Sequence, residues 1–303
     1  MGREIPHKGK VKMVYYLLLV ASIVLAVCKS SLYNSYAKKN ELSWFSLFRF
    51  NALSYGVAAV ISLIGVLVAS QSLSLMTVLC AFFYAVIVIS LQTASITAMS
   101  LGTMSTTSLF VMYGMIIPAA AGPIFWKEDV GPLQIVGMIM MLVSLWLING
   151  RSPTKEGKKI NKWMLLAIVA FLLSGMAGVM EKIHQSTRAR EENLSFVCMA
   201  CAFMLAFSLV AMLITRKGRE GVSSSSPIVI ALISGLVVGL YSTVNLVLAG
   251  NLDSMIYYPI ANGGAVLLTV LVSAILFKEK FDTLKIIGVG MGFAGILCLS
   301  IPV

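Results

Sequence analysis

Charge is scarce in this chain, and acid is scarcer than base. Only 12% of the 303 residues are charged, with 12 Asp and Glu against 23 Lys and Arg, while 59% are hydrophobic. That balance leaves too little polar surface to cover a soluble globule of this size and points to an integral membrane protein. Cysteine is limited to Cys28, Cys80, Cys198, Cys201 and Cys298, all inside apolar runs, where a thiol behaves as a small hydrophobe. They suggest no disulfide framework, and the Cys198/Cys201 CxxC lacks the second Cys or His pair that zinc needs. No HExxH, no GxSxG and no paired aspartates within apolar runs occur, which argues against an intramembrane enzyme. The lack of a phosphate-binding loop argues against direct use of ATP, and neither cofactor nor metal is expected.

The formal charge of +11 does not imply a nucleic-acid partner. The basic residues sit in short segments between apolar runs, where positive charge normally flanks membrane spans. The amino end, MGREIPHKGKVKMVYY, is basic and enters a long apolar run without a small-residue cleavage site, so it reads as a tail on a retained first helix.

A span needs about 20 mostly apolar residues. Ten segments qualify: 12–36, 44–69, 73–98, 104–126, 130–149, 163–186, 193–215, 227–250, 254–277 and 281–302. Their runs are continuous rather than alternating, which predicts helices and not a barrel. RSPTKEGKKINK at 151–162 and RKGREGVSSSS at 216–226 read as solvated loops, and the first divides the chain into two sets of five spans, 1–150 and 163–303.

The two sets share a register. At an offset of 151, Lys127, Glu128, Leu133, Ile135, Gly137 and Met140 fall on Lys278, Glu279, Leu284, Ile286, Gly288 and Met291. ELSWF at 41–45 matches NLSFV at 193–197 at an offset of 152. Such offsets argue for internal duplication. An odd number of spans per half inverts the second relative to the first, the arrangement that many secondary transporters use to build two gates around one midplane site.

These features resemble the drug/metabolite transporter superfamily, in particular its ten-helix EamA type. The resemblance is carried by FRF at 48–50, WKED at 126–129, FKEK at 277–280, the glycine nine residues after each Glu, and YYP at 257–259. It departs at VCKSSLYNS, 27–35, where the family often has a Trp-Gly-Ser-Asn-like turn and this chain has Lys29. The resemblance implies a multi-pass permease of the plasma (inner) membrane, monomeric or a weak homodimer, that moves a small molecule by alternating access. The alternative is a non-transporting sensor or scaffold on the same fold, for which an appended domain or long tail is the usual sign; the chain stops at IPV.

Orientation is read two ways. Ten spans put both termini on one face, with 7 Lys and Arg there against 12 on the other, so the positive-inside rule favours termini outside. The resemblance implies termini inside, and the basic tail on the first helix agrees with it.

Candidate functional residues follow from cost, since an ionisable side chain inside a span is expensive. Lys29 sits among Ser30, Ser31 and Asn34, where it either meets a substrate or snorkels to the interface. Glu181, beside Lys182 and His184, is repeat-equivalent to Lys29 at an offset of 152. Glu181 and His184 are therefore the candidates for proton coupling, against the simpler reading of an ion pair. The resemblance implies a cavity formed mainly by helices one, three, four, six, eight and nine. On them, Gln92, Thr106, Tyr113, Tyr241, Asn245, Tyr258 and Asn262 join Lys29 as candidate substrate-binding residues, each of which could instead bond between helices. Arg49 reads as interfacial, Glu128 and Glu279 as caps, and the glycine pairs Gly235/Gly239 and Gly288/Gly292 as close-packing points.

Overall fold

The structure is a computed structural model and describes residues 7–39, 43–126, 131–149, 157–187, 191–215, 226–251, 254–278 and 282–300. Of the Lys-Glu turns, Lys127, Glu128 and Glu279 lie outside the described residues. Among those residues there are eleven helices and no strand: α1 (His7–Lys39), α2 (Trp44–Ala69), α3 (Leu75–Leu101), α4 (Met104–Tyr113), α5 (Ile116–Trp126), α6 (Pro132–Asn149), α7 (Gly157–Gln185), α8 (Asn193–Ile214), α9 (Ser226–Asn251), α10 (Ser254–Leu276) and α11 (Thr283–Ser300). Seven stretches of described helix are long and apolar enough to cross a membrane, and shorter apolar helices occupy Pro132–Ser144, Ile260–Leu276 and Thr283–Cys298. The chain is thus all-helical, as its composition requires, and fits a multi-pass membrane protein.

Polarity runs opposite to that of a soluble protein. Leu17, Leu67, Phe83, Leu165 and Leu213 face outward and are more than half exposed, while Asn34, Asn51, Thr77 and Ser54 are fully enclosed. An apolar exterior of this extent needs a lipid or partner surface to cover it.

The expected single helix over 104–126 is instead broken at Gly114 and Met115. Pro118 has no N–H to give the Gly114 carbonyl, and its ring would collide with that carbonyl in a regular helix. The backbone tightens to three-residue spacing, with Ile117 N donating to Gly114 O at 3.0 Å and Gly114 N to Val111 O at 3.2 Å. Gly114 also lies so close to α7 that a Cβ on it would come within 2.7 Å of Phe171 O and of Ser174 Cβ.

Helices of the two halves interleave. α2 packs against α8 and α9, α3 against α7 and α8, α1 against α9 and α10, α7 against α4 and α5, and α6 against α11. One core gathers Phe50, Tyr55, Ala81, Phe196 and Met204 from α2, α3 and α8; a second gathers Tyr113, Met141, Ala265 and Ile296 from α4, α6, α10 and α11. α1 and α7 contribute to both cores, through Tyr33 and Val27 on α1 and through Met180 and Ala167 on α7.

Close approach depends on missing side chains. A Cβ at Gly235 of α9 would meet Ser54 O of α2 at 2.5 Å and Val57 Cβ at 2.7 Å. Gly235→Ala is therefore expected to lower the melting temperature of the detergent-purified protein, at a cost of about 1–3 kcal/mol. Gly290→Ala, where a Cβ meets nothing within 4 Å, leaves it unchanged. Equal melting of the two variants would contradict this account of the α2–α9 crossing.

Outside the spans, two connections cap each other. Gln71 Oε1 accepts from the Leu194 and Ser195 amides at the start of α8, and Ser195 Oγ donates to Ser72 O. In return Glu192 accepts from Ser72 Oγ, Ser74 N, Ser74 Oγ and Thr77 Oγ1 at the start of α3. The Thr77 hydroxyl chiefly, opposed by burial and supported by Ser74 and Ser72, holds the Glu192 carboxyl down at about 2. A depressed carboxyl stabilises the fold above its ordinary value of 4.5 and loses that contribution as pH falls from there towards 2. Glu192→Gln is expected to melt lower at neutral pH and to lose less than wild type on acidification, which melting curves across that window measure.

Candidate functional site

A cavity of about 240 Å³ opens between the two cores. α1 lines it with Ser22, Ala26, Lys29, Ser30 and Tyr33, a single face at helical spacing, and α7 with Ser174, Ala177, Gly178 and Glu181. α3 adds Tyr84, Gln92 and Ser95, and α9 adds Tyr241 and Asn245. Asn262 of α10 and Met112 and Met115 beside the break after α4 complete much of the wall.

The two charges are placed crosswise. Lys29 Nζ of α1 lies 4.1 Å above the ring of Tyr241 on α9. Glu181 Oε1 of α7 accepts the hydroxyl hydrogen of Tyr84 on α3 at 2.8 Å. Each charged residue is thus held by a tyrosine from the other half of the chain, and the two also act on each other electrostatically. An ammonium over an aromatic face gains more when desolvated than in water. A hydrogen bond from Tyr84 to the carboxylate does the same for the opposite sign.

A second network surrounds Gln92. Its Oε1 accepts from Tyr33 Oη at 2.8 Å and from Tyr55 Oη, and its Nε2 donates to Asn51 Oδ1 at 2.9 Å. Asn51 Nδ2 then donates to Thr93 Oγ1 at 3.1 Å. Gln92 at once lines the cavity and ties α1, α2 and α3 together. One turn along α9 from Tyr241, Asn245 Oδ1 accepts from Ser22 Oγ at 2.8 Å, joining α1 to α9. Ser108 Oγ, buried in the cavity wall, has no protein partner.

Of the residues singled out in the sequence, Lys29, Gln92, Tyr241, Asn245, Asn262 and Glu181 meet at this cavity. Thr106 does not line it: its hydroxyl pairs with Thr103 Oγ1 at 2.8 Å, about 200° around α4 from Ser108. Tyr113 turns away to the second core, 3.2 Å from Ser144 Oγ, whose hydroxyl in turn donates to Gly288 O at 2.6 Å. His184 is enclosed at the α3 and α8 ends, with Nε2 3.2 Å from Thr77 Oγ1 and its ring stacked on Phe196 at 4.4 Å between centroids. The side chain of Tyr258 lies outside the described residues.

Sequence reasoning passed over Tyr33, Tyr55 and Tyr84. Tyr33 follows Lys29 by four residues and shares its face, so helical spacing alone could have found it. Tyr84 carries no such signal, because its partner is 97 residues away. The cavity also takes Phe196, Val197, Ala200, Cys201 and Met204 from α8 and Tyr55 from α2; these helices are the seventh and second of the ten expected spans, and neither belongs to the expected lining set.

No family model and no curated protein matches this chain. One solved structure, described only as "Crystal structure of protein", superposes with a TM-score of 0.65 over 95% of this chain and 97% of that chain, at 14% identity. A likeness at that identity shows the fold alone.

Gln92→Ala leaves the Tyr33 and Tyr55 hydroxyls and Asn51 Oδ1 without their partner inside the protein. Each unpaired buried group costs about 1–3 kcal/mol, so the variant is expected to melt well below wild type, while Thr106→Ala, which opens only a local pair at the start of α4, costs less. Thermal unfolding in detergent compares them.

Proposed function

We propose that this chain is a secondary active transporter of the EamA type in the drug/metabolite transporter superfamily, a ten-span permease that carries a small metabolite or drug-like solute by alternating access through the central cavity. The carrying observation is the crosswise placement of Lys29 and Glu181 on one buried cavity, each held by a tyrosine of the opposite half. Intramembrane charges facing an enclosed cavity are the ordinary signature of a substrate or ion pathway.

Two further observations support the inverted duplication behind this reading. Ser22 and Ser174, Ala26 and Gly178, and Lys29 and Glu181 are three pairs 152 positions apart, and all six residues face the same cavity. Helix pairings are reciprocal as well: α1 with α9 answers α7 with α3, α2 with α9 answers α8 with α3, and α1 with α10 answers α7 with α4 and α5. The self-paired contacts α2 with α8 and α6 with α11 lie where a pseudo-twofold axis would pass.

The interleaving changes how the motion is conceived. Each core holds helices of both halves, so the bodies that rock are the two cores rather than the sequence halves themselves, with α1, α3, α4 and α7, which contribute to both, at the seam. The broken helix α4–α5 lines that seam through Met115, in keeping with the discontinuous helices of many transporter sites. Proton coupling, if the gradient drives transport, falls to Glu181, which faces the cavity, and not to His184, which is enclosed beside Thr77. A bacterial-type plasma membrane is the proposed location.

Proteoliposomes loaded with a metabolite panel, with and without a pH gradient, test the reading. Wild-type protein is expected to drive gradient-dependent accumulation of at least one solute. Glu181→Gln is expected to reduce that accumulation at least tenfold while leaving the protein folded. Unchanged rate and pH dependence in Glu181→Gln would remove the proton role, and no movement of any solute would remove the transporter reading.

A further inference from the structure

We propose that Cys198 and Cys201 of α8 form a dithiol site for a trivalent arsenical, chelated by the two sulfurs where α8 crosses α2 at the edge of the cavity. The chelation is a property of the folded chain and stands whether or not the chain transports a solute.

Both thiols are free and stand three residues apart, on one side of their helix. Cys201 is buried and belongs to the cavity wall, while Cys198 is half-buried. Two glycines of α2 fix what lies opposite: a Cβ at Gly65 would come 3.7 Å from a Leu194 methyl, and one at Gly56 would come 3.7 Å from a Leu205 methyl. Ser62 lies between those two contacts, facing the cysteines, and is the shared hydrogen-bond partner of both thiols. Its own hydrogen goes to the Ala58 and Ala59 carbonyls at 2.8 and 3.1 Å, so the S–H groups meet its two lone pairs. Both sulfurs are thereby aimed at one spot.

Magnitudes then choose the ligand. Side chains three residues apart on a helix hold their Cβ atoms about 5–6 Å from each other, whereas a disulfide needs about 3.5–4.5 Å. One soft atom bonded to both sulfurs, with bonds of about 2.3 Å as in zinc thiolates, spans the difference. A structural zinc ion asks for four donors, and no group of three His, Cys, Asp or Glu side chains able to hold a metal occurs among the described residues. Arsenic(III) that already carries one carbon needs only two sulfurs. In the exchange of an R–As=O group with two thiols, two As–S bonds form and the As–O bond breaks. The oxygen leaves as water with both thiol hydrogens, and nothing is oxidised or reduced. The product is neutral, which suits a place where a buried ion is costly. The cavity of about 240 Å³ opens on Cys201 and receives the organic group.

The test treats purified full-length protein in detergent with phenylarsine oxide. Intact-mass measurement is expected to show one adduct per chain. After excess arsenical is removed and the protein is unfolded in SDS, a maleimide is expected to label Cys28, Cys80 and Cys298 but not the peptide that carries Cys198 and Cys201. The dithiol 2,3-dimercaptopropanol restores labelling of that peptide, and an equal excess of the monothiol 2-mercaptoethanol does not. Cys198→Ala and Cys201→Ala each lower the affinity for the arsenical at least tenfold, while Cys28→Ala and Cys298→Ala leave it unchanged. Protection is read on the wild-type protein, so a variant that fails to fold does not blur the result. Absence of an adduct on the folded protein, protection that maps to other cysteines, reversal by the monothiol, or unchanged affinity in Cys198→Ala or Cys201→Ala overturns the proposal.

Discussion

A lipid exterior offers no hydrogen bonds, and the other features of this molecule follow from that constraint. Each backbone amide and carbonyl in the spans must be satisfied within its own helix, which makes the fold all-helical and leaves side chains to do the rest. Polar side chains then have nowhere to go but inward, which is why Asn34, Asn51 and Thr77 are enclosed while leucines and phenylalanines face out. Helix association gains little from the hydrophobic effect in such a medium and relies on packing and interhelical hydrogen bonds. Gly235 against Ser54 and Gly114 against Ser174 are the packing points; Gln92 with its tyrosines and Ser22 with Asn245 are the bonds.

The same medium gives the central charges their weight. In water, Lys29 and Glu181 would be screened and unremarkable. Enclosed between two cores, they interact with each other and with anything that enters, and the tyrosines of α9 and α3 keep them pointed at the cavity. The helices that carry them, α1 and α7, belong to both cores.

How much of this was legible beforehand varied by residue for physical reasons. Long apolar runs mark helices reliably because the bilayer sets their length, and the observed helices follow the expected segments within a few residues except at Pro118 and in the early start of α1 and α7. The break at Gly114 was legible in principle, since a proline inside a helix must displace the carbonyl four residues back. Lys29 and Glu181 were legible because charge inside a span is costly. Thr106, Tyr113 and His184 were legible only as polar residues on helices; which way each faced depended on neighbours far along the chain, Ser144 and Gly292 in the case of Tyr113. Tyr84 and Tyr55 gave no local sign at all, since their partners stand on other helices.

Composition and periodicity by themselves determined that this chain is an apolar helical protein, where its helices run, and which two charges are out of place in lipid. They did so because the cost of an unpaired polar group in hydrocarbon is a local quantity, readable residue by residue. Tertiary structure alone decided which helix faces meet, that α8 joins the cavity wall, and that each central charge is held by a tyrosine from the other half. Those are relations between residues tens to hundreds of positions apart, fixed by how helices cross, and no stretch of sequence contains them.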